Sequence, residues 1–226
     1  VTRYLLLIVA SLALGTGITG TALAQSTDSG ARTSHAEATL NPNEDTSPVD
    51  PKDPNGSGNE FPGEGTDSTG KLTLDYVSNL NFVQQGISGT QIVSNATNTK
   101  AFVQISDRRS TGAGWQLQVK PSALVGDKDS TAISQASIEL GAARFIPSGK
   151  NVSGTPSVVA TSTQLLPIGS YSLIGRAGKN AGMGTWIMNL NYDASAPTKL
   201  LVMSAAVTQQ QTYRGTLSWL LSDTPQ

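Results

Sequence analysis

From Lys71 onward, apolar residues recur at every second position in stretch after stretch, and no segment shows a 3.6-residue stripe over three turns. Leu72, Leu74 and Tyr76 alternate with Lys71, Thr73 and Asp75. Trp115, Leu117 and Val119 alternate with Gln116, Gln118 and Lys120. Trp186, Met188, Leu190 and Tyr192 repeat the pattern, and so do Leu217, Trp219 and Leu221. A period of two puts alternate side chains on opposite faces of a strand, and a helix cannot use it. Further apolar runs lie at 101–105, 137–146, 158–166, 171–174 and 200–207, separated by Gly, Asn, Pro and Ser clusters. Many short strands with turn signals between them predict an all-β fold. The expected architecture is an antiparallel β-sandwich or barrel-like domain of about ten strands over 71–226.

The residues before this domain read differently. Arg3, an apolar run over 5–14 and Ala22-Leu23-Ala24 form the charged region, core and cleavage site of a secretory signal, expected at 1–24. Gly15, Thr16, Gly17, Thr19 and Gly20 interrupt the run, which argues against a membrane span. Residues 25–70 are rich in Pro, Gly, Asp, Asn and Ser, with Leu40, Val49 and Phe61 as almost their only large apolar side chains. Such a composition buries too little surface to offset ordering entropy, so a disordered acidic linker is expected there. Charge divides at the same point. The linker holds nine acidic and two basic residues, a net of −7, and 71–226 holds twelve basic and seven acidic, a net of +5. A basic domain favours anionic partners by long-range steering, or the charge simply maintains solubility. The last residues, Leu221 to Gln226, carry no sorting motif, apolar tail or basic cluster, so any attachment to a cell is expected to be non-covalent.

Catalytic chemistry finds few candidates. There is no Cys, which removes disulfides, thiolate metal sites and Cys nucleophiles. The one His, His35, sits in the linker without a partner group. Asp127-Lys128-Asp129 lies in a turn-like stretch and lacks the density of a Ca²⁺ loop. No catalytic residue, cofactor or metal site is expected, and scattered basic residues in an exported chain do not suit nucleic acid.

Two stretches are more specific than composition. One is Ser106-Asp107-Arg108-Arg109-Ser110-Thr111-Gly112-Ala113-Gly114-Trp115-Gln116-Leu117. The other is Tyr213-Arg214-Gly215-Thr216-Leu217-Ser218-Trp219-Leu220-Leu221-Ser222-Asp223-Thr224-Pro225. Each contains a Trp-x-Leu motif. With the opening from Leu72 to Phe82 and the segment Gly182-Met183-Gly184-Thr185-Trp186, they make the chain resemble the WxL domain of Gram-positive surface proteins. Ser110 departs from the pattern, which has Gly there. The resemblance implies a secreted protein held non-covalently on the cell wall, with peptidoglycan as receptor. It also implies companions among WxL-interacting and sortase-anchored surface proteins. Alternatives are a subunit whose receptor is another protein, and an adhesin, with wall retention indirect in both. An enzyme acting on wall glycans is disfavoured by the missing acid–base pair.

The resemblance assigns wall binding to Trp115, Leu117, Trp219 and Leu221. The alternation instead turns both motifs inward, which makes them structural, with ligand contact as the second possibility. If they are structural, contact falls to loops, and Arg108, Arg109, Lys120, Arg176 and Lys179 are the candidates, because guanidinium and ammonium donors on preformed loops suit sugars and peptide stems.

Overall fold

The computed structural model describes residues 37–38, 43–151 and 153–223. The expected signal sequence, its cleavage site, His35 and the first part of the linker lie outside the described residues. The described residues from 43 onward pack as one unit. In chain order its strands are β1 (Leu72–Val77), β2 (Phe82–Ser88), β3 (Gln91–Ala96), β4 (Phe102–Asp107), β5 (Trp115–Pro121), β6 (Leu124–Gly126), β7 (Ala132–Ile133) and β8 (Ala136–Leu140). They continue as β9 (Arg144–Pro147), β10 (Ser157–Val158), β11 (Gln164–Pro167), β12 (Ser172–Ala177), β13 (Gly184–Asn189), β14 (Lys199–Met203), β15 (Tyr213–Arg214) and β16 (Leu217–Asp223). The fold is all-β, as the alternation predicts. The described strands outnumber the expected ten because β6, β7, β9, β10, β11 and β15 have only two to four residues, too few for a period to show.

The strands form antiparallel sheets with the orders β1-β4-β13-β9, β10-β12-β5-β16, β11-β8-β14-β3-β2 and β15-β6-β7. One apolar core joins the first three. Val103, Ile105, Trp186 and Met188 enter it from the first sheet, Trp115, Leu117, Val119 and Ile174 from the second, and Ile138, Leu140 and Leu166 from the third. Tyr192 departs from the inward series expected of it. It is exposed, with the Arg144 guanidinium 4.4 Å from its ring centroid.

Strand β4 is buried at all six positions, so both its faces are covered. Val103 and Ile105 face the core. Phe102, Gln104 and Ser106 face the other way, and residues 43–70 cover them. Here the structure differs from the expected disordered linker and from a boundary at 71. Pro51 and Pro54 are buried. The Lys52 amide donates to Gln104 Oε1 at 2.7 Å, and Gln104 Nε2 donates to the Asp50 carbonyl at 3.0 Å. Asn189 Nδ2 donates to the Pro54 carbonyl at 3.3 Å. The Phe61 ring lies edge-on to Phe102 at 5.0 Å and to Tyr76 at 5.5 Å, with Tyr76 and Phe102 stacked at 4.5 Å. The segment forms almost no regular structure, which its composition does predict. It is ordered by docking on a sheet face that presents side-chain amides, hydroxyls and rings.

A bulge between Leu74 and Tyr76 moves Tyr76 off the face of Leu72 and Leu74 onto this covered face, where Asp75 also lies. Its carboxylate accepts from Thr73 Oγ1 at 2.6 Å, Ser106 Oγ at 2.7 Å and Gln104 Nε2 at 3.0 Å. Burial pushes its pKa up, and those three bonds oppose the shift.

Candidate functional site

The two Trp-x-Leu motifs lie on neighbouring strands. β5 is central in its sheet and β16 is its edge partner. Their antiparallel register sets Leu117 opposite Leu221, Val119 opposite Trp219 and Trp115 opposite Asp223. Directly opposed residues share a face, so both motifs point into the core. Trp115 and Leu117 are completely buried, whereas Leu217, Trp219 and Leu221 are half-buried.

A cradle of close backbone approaches holds Trp115. Its indole Nε1 donates to the Gly182 carbonyl at 3.1 Å, and its ring meets Phe145 edge-on at 5.6 Å. Gly182 has φ +73°, and a Cβ there would stand 2.6 Å from Nε1. Gly114, at φ +84°, leaves no more room, because a Cβ would fall 2.3 Å from the Ala177 carbonyl oxygen. Only glycine meets both demands. Ser110, where the family pattern has Gly, also sits in the left-handed region at φ 59°.

The opposite face of this sheet is turned to solvent. β5 contributes Gln116, Gln118 and Lys120 to it. In register, β16 sets Ser222, Ser218 and the exposed Leu220 beside them, and β12 sets Leu173 opposite Gln118 and Arg176 opposite Gln116. Lys120 Nζ lies 4.8 Å from the centroid of the exposed Tyr171 ring. None of these residues is acidic. The face combines primary amides, hydroxyls, one aromatic surface and two cations, which suits neutral or anionic polar ligands that accept hydrogen bonds.

A family model described as the WxL domain, a surface cell wall-binding domain, matches residues 27–225. The chain belongs to the WxL domain family. No curated protein and no solved structure gives a significant match. Membership carries a role in cell wall attachment and a place at the cell surface. No helix of the described residues is long and apolar enough to cross a membrane. The matched span includes most of the segment the composition sets apart as a linker. That span includes residues 43–70, which pack on the outer face of β4.

Of the five cationic candidates, the WxL domain brings Lys120 and Arg176 together on the outer face. Lys179 is exposed in the turn after β12. Arg108 and Arg109, expected as candidate surface contacts, are both ion-paired within the domain. Arg108 Nη1 pairs with Asp45 at 3.2 Å, and Nη2 donates to the carbonyls of Ser47 at 2.6 Å and Gly70 at 2.8 Å, tying the N-terminal segment down. Arg109 Nη2 binds Asp107 at 2.8 Å and the Gly114 carbonyl at 2.7 Å, while Nη1 reaches Asp223. One guanidinium therefore joins β4, the turn before Trp115 and the end of β16. The hydrogen bond to Asp107 raises the Arg109 pKa, burial opposes it, and the Asp223 contact adds to it.

Sequence reasoning missed Tyr171, Gln118 and Ser218 as members of one surface. The same alternation that turns Trp115 inward turns Gln116, Gln118 and Lys120 outward, so half of the face was readable. Its β12 half depended on which strand pairs with β5.

Proposed function

We propose that this WxL domain holds its chain non-covalently on the Gram-positive wall by binding peptidoglycan through the outer face of the β10-β12-β5-β16 sheet. Gln116, Gln118, Lys120, Tyr171 and Arg176 make the contacts. The observation that carries the reading is the concentration of amides, two cations and an exposed aromatic ring on one sheet face without a carboxylate. Glycan hydroxyls and N-acetyl groups accept hydrogen bonds from amides and pack on aromatic rings, and stem-peptide carboxylates pair with cations. The domain acts by binding rather than catalysis. Residues 1–24 direct export, and the wall-bound chain takes its place in multi-protein surface assemblies.

The test is co-sedimentation of residues 25–226 with protein-free, teichoic-acid-stripped sacculi across a salt series. Retention that survives salt, and is lost in Tyr171→Ala and Gln118→Ala variants of unchanged melting temperature, supports the reading. Retention that fades with salt assigns binding to net charge alone. A folded chain that does not sediment rejects peptidoglycan as receptor and transfers the role to a protein partner.

A further inference from the structure

We infer that β16 is an open strand-pairing edge and that a second copy of this chain pairs with it about a two-fold axis centred on Leu220. Most other edges among the described residues are shortened, kinked or covered. The outer edge of β1 is covered by Thr66, whose amide donates to the Asp75 carbonyl at 2.8 Å. β9 and β11 have four residues and end in Pro147 and Pro167, and β7, β10 and β15 have two residues each. β2 carries a bulge between Gln84 and Gly86. β16 differs from all of them. Seven consecutive residues run in unbroken register with β5, without proline or bulge, and Asp223 at the end is the only charged one. Natural sheets blunt such edges because a straight, neutral one invites another strand.

The backbone phase fixes which groups face outward. The Pro121 carbonyl accepts from Gly169 on the β12 side, and the Ser122 amide donates to the Thr216 carbonyl. The pair Leu217 and Pro121 is therefore a non-hydrogen-bonded one, and Ser218, Leu220 and Ser222 direct their backbone groups at β5. Leu217, Trp219, Leu221 and Asp223 direct theirs at the open edge, and no strand of the described residues takes them. Their side chains are also incompletely covered. Trp115, Leu117 and Val119 on the same face are 0–1% exposed, while Leu217, Trp219 and Leu221 stay half-buried.

A second copy satisfies both needs. Antiparallel pairing must match outward-directed residues with each other, which restricts the two-fold axis to pass beside a residue rather than between two. Only Leu220 as centre engages all seven residues. Trp219 then faces Leu221 of the second copy, and Leu217 faces Asp223 of the second copy, each pair exchanging backbone hydrogen bonds. On the outer side, Leu220, 40% exposed in one copy, packs against its own counterpart between Ser218–Ser222 pairs. No like charges meet. A seven-residue contact is at the small end for a stable interface, so association on the order of tens of micromolar is expected. It would place two outer faces side by side in one continuous sheet, and the inference does not depend on what those faces bind.

Sedimentation equilibrium of residues 25–226 tests it. The wild type should pass from monomer to dimer with concentration. Leu220→Lys and Leu220→Glu should each weaken the dimer by about tenfold or more at unchanged melting temperature, because each sets like charges against themselves at the axis. An equimolar mixture of the two should recover dimer, since lysine then faces glutamate. The double variant S218K/S222K applies the same repulsion without touching Leu220, should the single variants fold poorly. A wild type that stays monomeric to hundreds of micromolar overturns the inference and leaves the edge to a strand of another protein. Variants that dimerise like the wild type, or a mixture that fails to recover dimer, overturn it equally.

Discussion

Leu117 stands directly across from Leu221, one strand over and on the same core-facing side. The two Trp-x-Leu motifs therefore run past each other in opposite directions and meet at their leucines. Trp115 extends beyond this point at one end and Trp219 at the other, opposite Val119. The motifs form one cross-strand unit, which is why two copies far apart in the chain belong together.

Trp115→Ala is expected to cost about 3–5 kcal/mol. It empties a fully buried site of the core and leaves the Gly182 carbonyl without its donor. Thermal denaturation should show the loss, and wall retention should fall only with the fold. Tyr171→Ala should behave in the opposite way, melting like the wild type and releasing the wall. A well-folded Trp115→Ala chain without wall affinity would place the motif in the contact surface.

Arg109→Met leaves Asp107, 2% exposed, without its guanidinium. Breaking a buried pair from one side costs on the order of 3–5 kcal/mol. Asp223→Asn removes the other, exposed partner, and less than about 1 kcal/mol should follow. Urea midpoints for the two variants measure the difference. Equal losses would mean that Arg109 acts chiefly as a tie between β4 and β16.

Ser110→Gly should raise stability by roughly 0.5–1 kcal/mol. Relief of a left-handed serine is worth about 1–2 kcal/mol, and the greater chain entropy of glycine returns part of it. For a domain of this size the melting temperature should rise by about 1–4 °C. Gly182→Ala should do the reverse and more strongly, because its Cβ meets the Trp115 indole. An unchanged melting temperature in Ser110→Gly would show that the turn carries no strain.

Asp75 gives the stability a definite pH dependence. Its folded pKa is raised by burial, so the folded state holds the proton more tightly than the unfolded chain. The stabilisation from this group is complete below the usual aspartate value of 3.8 and is lost as pH rises through the higher folded value. Asp75→Asn should therefore melt at or above the wild type at pH 7, and its advantage should shrink toward pH 4. A gap between the two that does not change with pH would show that the three hydrogen bonds balance burial, and an Asn advantage that grows toward pH 4 would show that they outweigh it.

Phe61→Ala tests whether the N-terminal segment stabilises the sheet it covers. The ring closes a three-ring cluster with Tyr76 and Phe102, and each such contact contributes about 0.5–1.5 kcal/mol. A loss of roughly 1–3 kcal/mol is expected, with faster hydrogen exchange at Phe102 and Gln104. A chain beginning at Lys71 should be less stable still, because the outer face of β4 would be bare. Equal melting temperatures for the long and short chains would return residues 43–70 to the role of a tether.

Alternation by itself determined the strand character of the domain and the inward direction of Trp115, Leu117 and Val119. Opposite faces follow from the pleat of a single strand, whatever its neighbours are. The same argument placed Gln116, Gln118 and Lys120 outside. Pairing was beyond its reach, because alternation does not say which strand lies next to which. The conjunction of Lys120 with Tyr171 and Arg176, and of Leu117 with Leu221, came only with the sheet order. The acidic segment shows the same division. Composition gives its capacity to bury surface on its own, and that is small. It is silent on a neighbouring sheet face whose amides, hydroxyls and rings lack cover, and Gln104, Asn189 and Phe102 supplied one. Arg108 and Arg109 looked free because their local sequence offers only Asp107. Folding brought Asp45 to one and Asp223, 114 residues away, to the other. The type of a charged side chain is written in the sequence, but its availability depends on which carboxylates the tertiary structure carries to it.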